Sequence, residues 1–353
     1  MLFIFHKLFF IAVAAIGFNF VVSFHEFGHL LFAKIFGIGA PSFSIGFGPK
    51  LFSKKIGGTE FSLSAIPLGG YVEIEGHEEV GQGDQKSAKS KGKNSFNSRP
   101  YWQKFLVMFG GIMCNLLFAY FGIILLYAIG MPQTPSLFPN QVKTVIASTA
   151  PGSLAEKYDL TAGDQIILAN GKKVENFKEY SEAVSNSDMI ELEVKTTAGS
   201  ITKIQGKMPL GVSFKVDSMQ PEGLVQSITN GISTTNQAIK FLATSIINIF
   251  KFKKFGNLGG PIAIFSQTMA TAKQGFKPFL IFLIFLSIQL ALLNLLPIPI
   301  LDGGQILFVT IEAIAGRNLP EKVKLGIHYA CWIFMLIMIA LISLQDIYKL
   351  FFN

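Results

Sequence analysis

Between Leu8 and Phe32 the chain is apolar enough to cross a membrane, yet that stretch carries His25, Glu26 and His29. Few folds accept such a segment. A backbone in lipid must satisfy its polar groups internally, which restricts a span of this kind to a helix. Asn19 and Ser23 are the only other strongly polar residues in it. An ionisable side chain at that depth costs about 2.5–3.5 kcal/mol or more, so such residues face a cavity or one another. On a helix, positions four apart lie one turn apart on one face. The His25 and His29 imidazoles can therefore grip a single cation. The bland reading is two interfacial histidines with a glutamate snorkelling to the headgroups. With five His and fifteen Glu in 353 residues, a random H-E-x-x-H is expected in about three of a thousand such chains. Chance is a poor account of the motif.

Half of the residues are hydrophobic and only 15% are charged, the balance of an integral membrane protein. Four segments qualify as spans: residues 3–36, 105–129, 279–314 with a break at Pro297 and Pro299, and 327–344. The first has one preceding Lys but runs too long for a signal-peptide core and lacks a small-residue cleavage site, so it reads as retained. The net charge of +8 fits cytoplasmic loops and anionic headgroups and implies no nucleic-acid partner. The loop from Lys34 to Lys104 carries ten Lys/Arg, and Arg317, Lys322 and Lys324 precede the fourth span. By the positive-inside rule both loops are cytoplasmic and both termini lie outside. His25 and His29 then sit roughly 13 Å and 7 Å from the Lys34 end, at 1.5 Å per residue. Cys114 and Cys331 fall in apolar runs and read as buried free thiols.

Between the first two spans, Ala40–Gly76 alternates apolar residues with glycines and reads as short β-hairpins. Gly81–Ser95 reads as a mobile linker. Between spans two and three the character changes. Short strands at Val142–Ile146, Gln165–Leu168, Val174 and Ile190–Val194 are separated by Gly-Asp and Asn-Gly turns, the pattern of a small β-rich domain. Its Ala150-Pro151-Gly152-Ser153, Leu160-Thr161-Ala162-Gly163-Asp164 and Asn170-Gly171-Lys172 resemble the bacterial PDZ pattern, in one copy. Leu224, Ile228, Ile232, Ile239, Leu242, Ile246 and Ile249 fall at helical spacing and read as an amphipathic helix on the domain or the membrane.

H-E-x-x-H on a helix is the spacing that binds zinc through two histidines, with the glutamate as general base. Two histidines leave a catalytic zinc one protein ligand short. His6 is at the wrong end of its helix, His77 is in a polar loop and His328 heads the fourth span. Asp302 follows the break Asn294-Leu295-Leu296-Pro297-Ile298-Pro299-Ile300-Leu301, with Gly303 and Gly304 behind it. Two prolines free backbone groups there, as is tolerated only where the chain lines a cavity. An Asp in this place also caps a resumed helix. The histidine pair tips the reading towards a ligand.

The chain as a whole resembles the site-2 proteases, intramembrane zinc metalloproteases, and among them the bacterial regulator-of-sigma-E protease type. The resemblance rests on His25-Glu26-Phe27-Gly28-His29, Gly46-Phe47-Gly48-Pro49, Pro67-Leu68-Gly69-Gly70-Tyr71-Val72 and Asn294 to Gly304. It implies one Zn2+ on His25, His29 and Asp302, with Glu26 as the catalytic base. It further implies that Gly46, Phe47, Gly69, Gly70 and Asn294 receive substrate, the first four as a sheet edge that accepts an added strand. The family's Gly-Pro-x-x-Asn of span two is only partly present, as Gly111-Ile112-Met113-Cys114-Asn115 without the proline, so Asn115 receives no role.

The expected fold is a polytopic α-helical membrane protein of about four spans, with a membrane-associated β-hairpin region and an inserted β-rich domain. Its parts are 1–36, the first span; 37–100, a cytoplasmic β-hairpin region and flexible linker; 101–130, the second span; 140–210, an extracytoplasmic PDZ-like domain; 221–256, the amphipathic helix; 279–315, a broken third span with Leu-Asp-Gly; and 327–344, the fourth span. The family resemblance implies a multi-pass enzyme of the bacterial inner membrane that cleaves single-pass membrane proteins, such as an anti-sigma factor or signal-peptide remnants. A peptide ligand for the PDZ-like domain and the lipid bilayer complete the expected partners. Two other classes compete: a membrane PDZ scaffold or chaperone with a structural or degenerate metal site, and a metal transporter. A transporter needs a polar permeation route, and spans two and four offer few polar residues for one.

Overall fold

The computed structural model describes residues 2–77, 92, 94–150, 152–185, 187, 189–207, 210–252, 260–317 and 319–352. Among them, four helices are long and apolar enough to cross a membrane: Leu8–Ile35, Tyr101–Ile129, Phe276–Asn294 and Lys322–Ile347. The chain is a multi-pass membrane protein. It divides into two compact units, Met1–Ile123 with Thr235–Asn353, and Ile124–Thr234.

The first unit starts with helix α1 (Leu2–Ile35), which ends where Gly37 takes a positive φ. Strands β1 (Ser42–Ile56) and β2 (Thr59–Glu73) follow and pair with each other. These are two long strands rather than several short hairpins. Their bends made them read as pieces: Gly46 and Gly69 sit at φ +87° and +129°, backbone that favours glycine. Bending lets each strand fold back on the other. Ser42, Phe43, Ser44 and Ile45 face Glu60, Phe61, Ser62 and Leu63 on one side, and Glu73, Val72, Tyr71 and Gly70 on the other. Residues 60–63 in turn also face residues 52–55. Phe43 and Val72 point into a core with Leu30, Ala33, Ile38 and Val107, so the sheet packs directly on α1. Apart from residues 92, 94 and 95, the linker expected at Gly81–Ser95 lies outside the described residues.

Helix α2 (Tyr101–Ile129) crosses α1 at unusually close range, because a Cβ on Gly28 would run into the Gly110 carbonyl. Small residues at such a crossing let backbones approach, which is how helices associate where lipid removes the hydrophobic drive.

The second unit carries a four-stranded sheet and a two-stranded one. Strands β4 (Gln165–Ala169), β5 (Lys172–Lys173), β6 (Met189–Lys195) and β7 (Ile201–Lys207) pair in the order β5-β4-β6-β7, and β3 (Ile146–Thr149) pairs with β8 (Val212–Phe214). Short helices α3 (Leu154–Lys157) and α4 (Phe177–Val184) open with the side chains of Ser153 and Asn176 as caps. The core of Val142, Ile146, Ile166, Leu192, Val194, Ile204 and Phe214 reaches past residue 210. The 140–210 boundary falls short because β8 closes the domain by pairing with a strand 66 residues earlier, a match with no local signature.

Helix α5 (Leu224–Phe252) covers the expected amphipathic segment from 224 to 252; 221–223 precede it outside the helix, and 253–256 lie outside the described residues. The next helix, α6 (Pro261–Lys273), has no counterpart in the sequence reading. Its interior mixes Thr, Ala and Gln with few large apolar residues, so no stripe announces it. It begins with Pro at a first-turn position, and the Asp346 carboxylate accepts from Gly260 N at 3.2 Å and Ala263 N at 3.0 Å. Helix α7 (Phe276–Asn294) is the third span. A turn over 295–301 separates it from α8 (Asp302–Ala315). Helix α9 (Glu321–Phe352) extends well beyond the expected 327–344, since the polar residues at its ends continue the helix past the apolar centre. Both cysteines are free.

Tyr180 is buried against Phe177 and Phe214, and loss of solvation pushes its hydroxyl from 10.0 up to about 12. A folded-state pKa raised above the unfolded value gives stability that is complete below pH 10 and is lost as pH rises through 12. The thermal midpoint of the second unit should fall across that window, and fall less steeply in Tyr180→Phe.

Candidate metal centre

α1 presents His25 and His29 from successive turns, and both imidazoles are buried. The rings meet edge to face with centroids 4.8 Å apart, and their Nε2 atoms are 3.2 Å from each other. Two imidazole lone pairs at that range repel unless a proton or cation sits between them. Asp302 joins the pair: Oδ2 lies 3.1 Å from His25 Nε2, and Oδ1 lies 3.5 Å from His29 Nε2.

The turn over 295–301 explains how a residue 273 positions after His29 arrives there. Leu301 N donates to Ile298 O at 2.8 Å and Gly304 N donates to Leu301 O at 3.0 Å, so the Pro-rich segment is tight. A Cβ at Gly304 would strike the Ile298 carbonyl, so only glycine lets α8 start this close to the turn. Gln305 Nε2 donates to Pro299 O at 2.7 Å and lies 2.8 Å from His328 Nε2, tying α9 to the same turn. Leu301 occupies the cap position of α8, and Asp302 is the first helical residue. The aspartate is turned to the imidazoles instead of closing the helix end.

These residues fit zinc. With bonds of about 2.0–2.2 Å, a tetrahedral site has ligand-to-ligand edges of about 3.3–3.6 Å; the two Nε2 atoms are 3.2 Å apart, and with one ligand atom from each residue the three lie within 4.8 Å of one another. Asp302 Oδ2 is buried without an aligned hydrogen-bond donor, a costly state for a carboxylate oxygen that a cation relieves. Among the described residues, His25, His29 and Asp302 are the one group of His, Cys, Asp or Glu whose ligand atoms converge in this way.

Helix α2 supplies the surroundings from one stripe, Val107, Gly111 and Asn115, spaced four apart. His29 Nδ1 donates to Val107 O at 2.8 Å. A carbonyl only accepts, so this bond leaves the His29 Nε2 lone pair facing the site. Gly111 lies against both rings: a Cβ there would run into His29 Nε2 and His25 Cε1. Asn115 is fully buried, with Nδ2 3.2 Å from His25 Nδ1, and Ser287 Oγ donates to its main-chain carbonyl at 3.0 Å. None of the three received a role from sequence. The signal that could have found them is their four-residue spacing in an apolar run, together with the paired glycines at 110 and 111.

Glu26 is half-buried on α1, 100° round the helix from His25 and three residues before His29. Asn294, the last residue of α7, places Nδ2 3.3 Å from His25 Nε2. The four sheet residues also gather. Phe47 stacks on Tyr71 with ring centroids 6.3 Å apart and covers Gly69, whose Cβ would press into the Phe47 ring. A Cβ on Gly46 would come within 2.8 Å of the Ile66 carbonyl. Gly70 pairs with Ile45 and lies against Ser23, two residues before His25.

Known proteins resemble this chain along most of its length. The model of peptidase family M50 matches residues 13–338. A Clostridium perfringens protein named as a zinc metalloprotease is 30% identical over 349 residues, covering 96% of this chain and 98% of its own length. One from Campylobacter jejuni, similarly named, is 30% identical over 94% of this chain and 91% of its own. The regulator of sigma-W protease RasP of Bacillus subtilis is 26% identical over 95% and 97%. Two histidines on one membrane helix, an aspartate from another converging on them and a match over nearly the whole length lead to one conclusion: the chain belongs to peptidase family M50, the site-2 proteases, and is a zinc metalloprotease.

Proposed function

We propose that the chain cuts single-pass membrane proteins within their transmembrane segments, with His25, His29 and Asp302 holding the zinc and Glu26 as general base. The observation that carries this reading is the convergence of two imidazoles and a carboxylate at 3.1–3.5 Å between apolar helices. When bound, zinc supplies Lewis acidity that polarises a carbonyl and makes water more acidic. Glu26 takes a proton from the attacking water and passes it to the departing amine nitrogen. A transmembrane substrate hides its peptide bonds in its own helical hydrogen bonds, so it must unwind before it is cut. Gly46, Phe47, Gly69 and Gly70 form the part of the sheet beside α1 that holds the extended form by main-chain pairing. Asn294 Nδ2 is a donor at the mouth of the site and takes a substrate carbonyl.

Charge supports the placement: the Lys-rich segment between α1 and α2 lies in the cytoplasm of a bacterial cell, the protein is in the inner membrane, and both termini are outside. The B. subtilis relative is named for a sigma-W regulator, which supports an anti-sigma factor as one substrate; signal-peptide remnants are the other. The β-rich unit at 124–234 serves as a PDZ-like domain that takes a peptide end. Its capped helices and turns at Asn170-Gly171 and Gly163-Asp164 support that reading.

Glu26→Gln should keep stoichiometric zinc and slow cleavage of a reporter span by about 10²–10⁴-fold, whereas Asp302→Ala should lose both metal and activity. A Glu26→Gln enzyme that still cuts the purified reporter at the native rate would overturn the mechanism. Gly111→Ala should place a methyl group against both imidazoles at an overpacking cost of about 1–3 kcal/mol. Its zinc content after dialysis, measured beside that of native protein, should drop while the helix content stays the same.

A further inference from the structure

The two histidines are held differently. His29 Nδ1 meets a main-chain carbonyl, which can only accept. His25 Nδ1 meets the side-chain amide of Asn115, which can accept or donate according to which end faces the ring. As placed, Asn115 Nδ2 faces His25 Nδ1 at 3.2 Å, and Asn115 Oδ1 is buried without a partner. Meanwhile His25 Nε2 faces Asp302 Oδ2, His29 Nε2 and Asn294 Nδ2, all within 3.3 Å. The ring is thus spanned: one nitrogen looks into the metal centre and the other into Asn115.

We infer that Asn115 is a positioning residue for the zinc ligand His25, accepting the Nδ1–H through Oδ1 when Nε2 binds the ion. The inference rests on the ligand set proposed above. An imidazole that gives one nitrogen to a metal carries its proton on the other, and that N–H requires an acceptor. Asn115 is the side chain at that nitrogen, and turning its amide end over supplies one. As placed, Oδ1 is the amide atom without a partner, and turning the amide over brings it to the proton on His25 Nδ1. Asn115 cannot drift from the ring, because Ser287 of α7 holds its main-chain carbonyl and its surroundings leave it no exposed surface. His29 is thus preset for the metal by Val107, while His25 and Asn115 commit together when the ion arrives.

The test uses the full chain in detergent, with the Zn2+ dissociation constant read by competition against a chromogenic chelator. Asn115→Leu removes the acceptor at similar volume and should weaken zinc about 10–100-fold. Asn115→Asp keeps an acceptor oxygen at that nitrogen and should hold zinc at least as tightly as the native chain. A residue that merely fills space would show the reverse pattern or none: native affinity in Asn115→Leu, or tenfold weakening in Asn115→Asp, overturns the inference. If Asn115→Leu does not fold, the Asn115→Asp affinity decides alone by the same criterion. A native chain that takes up no zinc would sink the ligand set and this inference with it, whereas native uptake with a weakened Asn115→Asp sinks the inference only.

Discussion

Two imidazole nitrogens and the two oxygens of one carboxylate, brought to contacts of 3.1–3.5 Å between apolar helices, repel unless a positive charge sits among them. In water such a cluster would swell apart. Here each member is fixed by a different constraint: one helical turn separates the histidines, Val107 anchors one ring, and a proline-bound turn delivers the aspartate. The desolvated carboxylate gains by facing a cation.

Absence of side chains does as much for this centre as their presence. Gly28 and Gly110 set the distance between α1 and α2, Gly111 leaves room where the imidazoles converge, and Gly304 lets α8 begin hard against the Pro-rich turn. In lipid, where apolar surface has no preference between a neighbouring helix and a hydrocarbon tail, such close backbone contacts supply the packing that holds helices in register. The outermost helix shows the contrast. α9 leaves Ile333, Phe334, Ile337, Leu341 and Leu344 exposed, an apolar flank suited to lipid, and it meets the Pro-rich turn through His328 and Gln305.

What could be read from the sequence follows the range over which each interaction acts. His25, Glu26 and His29 encode their geometry locally, because a helix brings positions four apart onto one face. Asp302 was accessible because two prolines and two glycines mark a break at membrane depth. Asn115 and Gly111 were not, since their importance comes from a helix whose histidines lie 80 or more residues earlier along the chain. The strands over 42–56 and 59–73 were read as fragments because glycines bend them, and α6 was missed because threonines and alanines carry no stripe. The β3–β8 pairing was hidden for the same reason as Asn115: nothing near either strand in the chain names its partner.

The folded-back arrangement of β1 and β2 limits where this sheet can grow. Residues 42–45 and 60–63 already have neighbours on both flanks, so their main-chain groups are spoken for. Two outer margins, residues 52–55 and residues 70–73, are matched on one flank only in this pairing. The second margin runs past Ser23 at Gly70, so a chain annealed there would travel alongside the helix that carries the histidines.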